Sequence, residues 1–552
     1  MKKIVKILIL TTVLVLPFFA AAMEEGEVRH FYVQPDYDHQ GRDELGARLI
    51  KKGEEIHFYV DNSFWSDLES KERELYEDKI EDLKKDFSEK IKPEMTKKFE
   101  KTPIHPITGS REVSVLIHPM QKTAGGYFNS GDQYSSYQSP RSNEMTLLYL
   151  GTDILKREDR GGFLAHEFMH LLTFKQKERL RNVREEIWLN EARAEFIPTF
   201  LGYDELKGSN LDRRIETFLQ SPNTSITEWV GRRSDYGAIN IFTQYMVDHY
   251  GVDLLIDSLK SEKVGIESIN YALEKGGFEE RFSDLFNNFK VAVLVNDCDF
   301  GNKFCFKSDS LEGLNLKPAT NHVPYFEEGS LKIKYKTKNW AGNWHKLTGG
   351  SGDLKVVFKS DEGVRVEVPY LLCKKEGSCQ VDKLNFRGES DLEISNFDQN
   401  YESLTIMPSI QDKKSGFNGI EESVSLSIEA STIIKREEDV ARQLDELRAL
   451  LDRLIEKIEE KERKLCSIDR PLGIYSQDSE SIRCLQLFLS SNPEIYPEGY
   501  VTGNFGNLTK KAVERFQKKY NEDILKPLEL REPTGYVGPA TIRKINELRG
   551  KK

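Results

Sequence analysis

The sequence predicts a multidomain α+β chain: a mixed sheet-and-helix domain, a β-sandwich, a long charged helix and a small three-helix domain. Three observations predict it. The chain has 552 residues, more than one hydrophobic core supports, so roughly two to four domains are expected. Its periodicity changes along its length, from mixed strand and helix signals to strict alternation, then to heptads and short helical runs. Its six cysteines form three near-neighbour pairs, Cys298 with Cys305, Cys373 with Cys379 and Cys466 with Cys484, each inside one of those regions.

The first 22 residues read as a secretory signal. Met1-Lys2-Lys3 and Lys6 give a basic start, Ile7 to Phe19 an apolar stretch, and Ala20-Ala21-Ala22 small residues for cleavage. An uncleaved anchor is the other reading, because the apolar stretch approaches spanning length. No second segment is long enough to cross a bilayer, so no span is expected after cleavage. Local cysteine pairing is the simplest connectivity, and disulfides fit a secreted, extracytoplasmic protein. A net charge of −11 with no basic run argues against nucleic acid as a partner.

Residues 27–314 form the first domain. His30–Val33 and His57–Val60 read as strands, Leu68 to Phe99 as a charged helix, and Glu112–His118 and Glu144–Leu150 as two more strands. The Gly- and Ser-rich stretch from Gly125 to Ser142 reads as a mobile loop. A helix follows in which Phe163, Leu164, Phe168, Met169, Leu171 and Leu172 are apolar on more than one face, so it is buried.

That helix carries His166-Glu167-Phe168-Met169-His170. Histidines four residues apart leave one side of a helix one turn apart and can grip one side of a tetrahedral Zn²⁺. Glu167 lies beside the metal, where it can act as general base on water. Trp188-Leu189-Asn190-Glu191-Ala192-Arg193-Ala194-Glu195-Phe196 supplies Glu191 as third ligand and, one turn on, Glu195 to accept a ring N–H of a ligand histidine. The expected cofactor is one catalytic zinc.

HEFMH followed by WLNEARAEF resembles the gluzincin (peptidase MA-like) zinc metallopeptidases, and most of all the hyicolysin-like families. The resemblance implies a small mixed sheet before the zinc helix, whose edge strand holds an extended peptide or protein substrate. It also implies a Tyr or His from a later helix as oxyanion donor. Arg232-Arg233-Ser234-Asp235-Tyr236-Gly237-Ala238 opens such a helix, and Tyr236 is the first choice, with Tyr245 and His249 as alternatives. The aminopeptidase spacing of that tyrosine is two residues longer.

Residues 317–434 alternate in Leu331–Tyr335, Leu354–Phe358, Val364–Val368 and Val424–Ile428, the pattern of an antiparallel β-sandwich. Residues 436–465 carry Val440, Leu444, Leu447, Leu451, Leu454, Ile458 and Leu465 at heptad spacing, interrupted by Lys461. A dimer through 440–465 and a single helix packed on a neighbour both fit. Residues 466–552 contain Ser481-Ile482-Arg483-Cys484-Leu485-Gln486-Leu487-Phe488-Leu489, Thr502-Gly503-Asn504-Phe505-Gly506, Thr509 to Gln517 and Thr534-Gly535-Tyr536-Val537-Gly538-Pro539-Ala540-Thr541. They resemble the three-helix peptidoglycan-binding domain, with Leu485, Phe488, Val513 and Phe516 as helix-period core residues.

Together the two resemblances imply a secreted zinc endopeptidase tethered to the cell wall. The alternatives are a non-catalytic wall-binding protein with a degenerate protease fold, and a peptidase acting on peptidoglycan stem peptides.

Overall fold

Alternating apolar residues near the N-terminus build a six-stranded sheet in the computed structural model. It describes residues 24–550 apart from 102, 123, 206, 327–328, 362, 418, 435–436 and 467, with no side chains for 437–443 and 459–465. The expected secretory segment, residues 1–22, lies outside the described residues. The strands β1 (Val28–Tyr32), β2 (Glu44–Lys52), β3 (Ile56–Asp61), β4 (Val113–His118), β5 (Gly126–Phe128) and β6 (Leu147–Gly151) run in the order β1-β2-β3-β4-β6-β5. β3, β4 and β6 are parallel, and the edge strand β5 is antiparallel to β6. Every residue of β4 and β6 is buried, as in central parallel strands covered on both faces.

The sequence missed β2, where Arg48, Lys51 and Lys52 interrupt the apolar signal. β6 starts at Leu147 and not at Glu144, because Glu144 turns the chain with a φ of 50°. The expected mobile loop from Gly125 to Ser142 is corrected too. It supplies β5 and a tight turn at Ser130–Gln133, fixed by buried Asp132, which accepts from Tyr149 Oη (2.7 Å) and Asn143 N (2.7 Å).

The charged helix is α1 (Ser70–Asp86), continued through a π-turn at Phe87–Ile91 to Lys98. Leu83, Phe87, Ile91, Met95 and Phe99 are buried at a spacing of four. A regular helix would rotate such a row by about 40° per step; the wider turn returns it to the core. Four further helices, α2 (Arg160–Phe174), α3 (Ile187–Phe200), α4 (Asn210–Gln220) and α5 (Arg233–Tyr250), follow the sheet. α2 packs on the sheet through Leu164, Phe168, Leu171 and Leu172, and Gly161 lets Tyr203 approach, since a Cβ there would stand 2.7 Å from its ring. α6 (Phe282–Val295) closes the helical half.

The expected sandwich strands lie in β8 (Ser330–Thr337), β10 (Asp353–Ser360), β11 (Arg365–Lys374) and β16 (Val424–Ile433). With β7 (Thr320–Val323), β9 (His345–Gly349), β12 (Cys379–Arg387), β13 (Glu389–Ile394), β14 (Tyr401–Ile406) and β15 (Ser409–Ile410) they form two antiparallel-rich sheets. Their orders are β13-β10-β16-β8 and β12-β11-β14-β9-β7, with β15 on β11. β16 alternates buried and half-buried residues along its whole length.

The boundary expected near residue 317 falls inside one compact unit. Residues up to Ile434 form one compact unit, and Lys435 onward a second. Trp340 lies in the helical core, edge-on to Phe282 (4.9 Å) and Phe286 (5.7 Å). Lys290 of α6, fully buried, donates to Met407 O (2.8 Å) and Ser409 Oγ (2.6 Å).

The second unit contains α7 (Glu437–Leu465), α8 (Ser479–Ser490), α9 (Asn507–Lys519) and α10 (Pro539–Gly550). On α7, Leu444, Leu447, Leu451, Leu454 and Ile458 are exposed; the side chains of Val440, Lys461 and Leu465 lie outside the described residues. Leu485, Val513 and Phe516 are buried, while Phe488 is half-buried against Phe516 (5.6 Å). Two matching latches close the turns. Gln486 Oε1 accepts from Thr502 N (2.8 Å) and Gly503 N (2.9 Å), and its amide donates to Asn504 O and Thr509 Oγ1 (2.9 Å each). Gln517 does the same with Thr534 N, Gly535 N, Tyr536 O and Thr541 Oγ1 at 2.8 to 3.1 Å. Gly503 and Gly535 stand at φ 76° and 66°, a conformation that glycine adopts without strain.

The cysteines pair locally, Cys298–Cys305, Cys373–Cys379 and Cys466–Cys484. No helix among the described residues is long and apolar enough to cross a membrane.

Acid sensitivity follows from His345 of β9, whose ring lies beside Tyr335 and whose buried Nε2 has no hydrogen-bond partner. Burial pulls it down to about 4, below the ordinary 6.5, so it stays neutral in the fold. The unfolded chain takes up that proton first, and stability falls as pH drops from 6.5 toward 4, by about 3 kcal/mol. Urea denaturation at pH 7 and 4.5 should show this loss reduced in His345→Gln.

Candidate metal centre

α2 places His166 and His170 one turn apart on one side, and α3 packs along that side with Glu191 near its start. Buried ion pairing holds the start of α3. Arg193, fully buried, binds Glu185 (2.8 Å) and Ser258 Oγ (2.9 Å). The two imidazole Nε2 atoms are 3.2 Å apart, and Glu191 Oε2 stands 3.5 Å from that of His166 and 3.7 Å from that of His170. Among the described residues these three are the one cluster of metal-ligating side chains, with donor atoms all within 4.8 Å of one another.

The donor set fits zinc. Bonds of about 2.0–2.1 Å in a tetrahedron separate ligand atoms by about 3.4 Å, close to the distances here. Glu191 Oε2 is buried and has no hydrogen-bond partner, an expensive state for a carboxylate unless a cation faces it.

Groups behind the rings orient them. His170 Nδ1 faces Asn190 Oδ1 at 3.2 Å, and His166 Nδ1 faces Glu195 Oε1 at 3.6 Å. These two contacts suit a proton on each Nδ1, which turns the Nε2 edge of both rings toward Glu191. Glu195 is itself gripped by Arg214 through Nε (2.7 Å) and a terminal nitrogen (2.9 Å), by Asn210 (3.1 Å) and by Asn240 (3.1 Å). Burial works to raise the Glu195 carboxyl, but the Arg214 charge and hydrogen bonds bring it down to about 2, so it is ionised.

Charges make this a cation-attracting pocket. Burial pulls His166 down, yet the neighbouring carboxylates of Glu191, Glu167 and Glu195 bring it up to about 9. Burial lowers His170. Burial pushes Glu167 up to about 8, aided by the Glu191 and Glu195 charges. Glu167 is buried, and its Oε2 has no partner. The edge strand passes directly over it. A Cβ on Gly126 would lie 2.9 Å from Glu167 Oε1 and 2.6 Å from Tyr149 O, so only glycine fits.

Tyr236 opens α5 on the other side. Its half-buried ring meets Trp229 edge-on (4.6 Å) and carries the Arg214 guanidinium over its face (4.6 Å). Burial and the charges of Glu191 and Glu195 raise its phenol, which keeps the O–H as a donor. The alternatives Tyr245 and His249 are displaced. Tyr245 Oη donates to Lys303 O (2.9 Å) and the His249 ring bonds Cys305 O (2.8 Å). They lie about 13 and 20 Å farther along α5.

The sequence reading missed Arg214, Asn210 and Asn240, which come from two other helices and carry no local motif. Asn190 was visible in the motif but had no assigned role.

Residues 478–545 match the peptidoglycan binding domain family, so the second unit contains a peptidoglycan-binding domain. No curated protein matches the chain. Similar solved structures include the Yersinia pseudotuberculosis-derived mitogen (12% identity, 20% of this chain, 92% of that one, TM-score 0.15). They also include CorA, a surface-associated copper-binding protein of Methylomicrobium album BG8 (7%, 21%, 98%, 0.15). A third is PliG, a periplasmic inhibitor of g-type lysozyme from Aeromonas hydrophila (13%, 21%, 96%, 0.14).

Removing the Arg214 charge tests the support of the centre. Arg214→Met removes the guanidinium that makes two hydrogen bonds to buried Glu195, and chemical denaturation should show a loss of about 3–5 kcal/mol. Asn240→Ala, which removes a neutral partner, should cost less, about 1–3 kcal/mol.

Proposed function

We propose that this chain is a zinc-dependent endopeptidase of gluzincin type, exported and held at the cell wall by its peptidoglycan-binding domain. The observation that carries this reading is the convergence of His166, His170 and Glu191 donor atoms within 4.8 Å, with unpartnered Glu167 beside them. His166, His170 and Glu191 would hold the zinc, which supplies Lewis-acid activation when bound.

The chain's own groups do the rest. An extended peptide lies along β5, the last strand in the order of its sheet. Glu167, under Gly126, takes a proton from the attacking water and delivers it to the leaving amine. Its raised carboxyl suits both halves of that transfer. Tyr236 keeps its phenolic proton and donates it to the oxyanion as charge develops there. Arg214 and Glu195 fix the His166 ring and take no proton. The substrate is a protein or a wall peptide brought close by the peptidoglycan-binding domain, and three local disulfides suit that oxidising location.

Elemental analysis should find about one equivalent of zinc, lost in His166→Ala and Glu191→Ala. Glu167→Gln should keep the metal and lower turnover of casein or purified muropeptides by about 10²–10⁴-fold. Zinc-loaded wild type inert on both substrates would favour a non-catalytic wall protein, and muropeptide cleavage with casein untouched would assign the wall peptide. Deleting residues 466–552 should abolish co-sedimentation with peptidoglycan while zinc content stays unchanged.

A further inference from the structure

On α2 between Gly161 and Phe174, Phe163 and His166 are the two residues that are not buried. They lie three residues apart, and Glu167 follows Phe163 by four. Phe163 therefore sits on the side of α2 that carries the metal centre, one turn before it. The edge strand runs along the same side. A Cβ on Gly125 would stand 2.7 Å from Phe163 Cε1, and one on Gly126 would stand 2.9 Å from Glu167 Oε1. The chain entering β5 thus passes from the phenyl ring to the general base in two consecutive residues.

Two guanidinium groups stand over that ring. Arg157, just ahead of α2, has its Cζ 5.5 Å from the Phe163 centroid, and Arg213 of α4 has its Cζ 6.0 Å from it. Arg213 precedes Arg214, which holds Glu195 behind His166. α4 so presents one arginine to the back of the centre and its neighbour to the ring beside it.

Both half-buried guanidiniums pair with one carboxylate, that of Asp159. Arg157 donates to it through Nε (2.7 Å) and Nη2 (3.0 Å), and Arg213 through Nη2 (3.2 Å). Arg213 Nη1 donates to Gly208 O (2.6 Å). Each group uses two of its three nitrogens in these bonds, and two positive charges meet one negative. A second carboxylate would balance them, because a guanidinium fork matches its two oxygens, and the phenyl ring offers an apolar floor for the methylenes that carry it.

We propose that Phe163, Arg157 and Arg213 form a substrate subsite for a carboxylate-bearing residue of the peptide on β5, which makes acidic peptides the preferred substrate class. This rests on the peptidase reading. The probes are quenched fluorescent peptides in which each position in turn is Glu or Gln, cleaved by the full zinc-loaded chain. Wild type should favour Glu at one position near the scissile bond by about 10- to 100-fold in kcat/KM. Arg213→Gln and Arg157→Gln should each bring that ratio below about 5-fold, mainly through the KM of the Glu peptide. Arg213→Lys, which keeps the charge beside Asp159 but not the fork, should give an intermediate ratio. Purified muropeptides with free or amidated carboxyls identify the source. Preference for the free form would place the carboxylate in the wall, and indifference there beside a Glu preference in the linear peptides would place it in a protein.

Wild-type ratios within about twofold in both substrate sets would overturn the proposal and leave the peptidase reading in place, as would a Glu preference kept in full by both Gln variants. Zinc-loaded wild type that cleaves none of these substrates would overturn both.

Discussion

Three carboxylates and two imidazoles share a buried contact between α2 and α3, and their charges have to be balanced where they sit. Arg214 balances Glu195 with two hydrogen bonds and stacks on Tyr236, so one guanidinium ties α3, α4 and α5 together. Glu167 and Glu191 have no such partner, and each keeps a buried oxygen without a hydrogen bond. A buried polar oxygen without a hydrogen bond is normally costly. Here two such groups lie side by side, next to the rings of His166 and His170. The apolar packing of α2 and the glycine in β5 follow from holding that arrangement dry and close to the sheet edge.

Much of the centre was legible because its chemistry is local. His166, Glu167 and His170 are separated by one helical turn, and Glu191 and Glu195 by another, so spacing alone predicts which side chains share a side. What was hidden depends on contacts across the chain. Arg214 sits 19 residues after its partner Glu195, in a helix with no signature. Gly126 looked like one of many loop glycines, although its place against Glu167 depends on a three-residue strand too short to show alternation. Tyr245 and His249 looked suitable by residue type, but distance along α5 removes them.

The sheet and sandwich repeat this pattern. Strands buried on both faces announce themselves as apolar runs, whereas β2 hides behind basic residues that face outward at an edge of the core. The heptads of α7 and the paired Gln latches of the peptidoglycan-binding domain are periodic in sequence, and their helices and turns lie where that periodicity places them. The clasp across residue 317 was not legible, because Trp340 and Lys290 are single residues whose burial joins two regions of different periodicity.

That joint redistributes mechanical load. The connection at 315–319 carries little of it, since the helical and β-sheet halves are clasped by an aromatic cluster and by an ammonium group sunk among carbonyl and hydroxyl oxygens. A nick in that connection would leave the fragments associated, and a cut made there to isolate either half would expose an apolar wound on both. The separable cassette ends at Ile434, which is where any recombination that spares both halves has to cut.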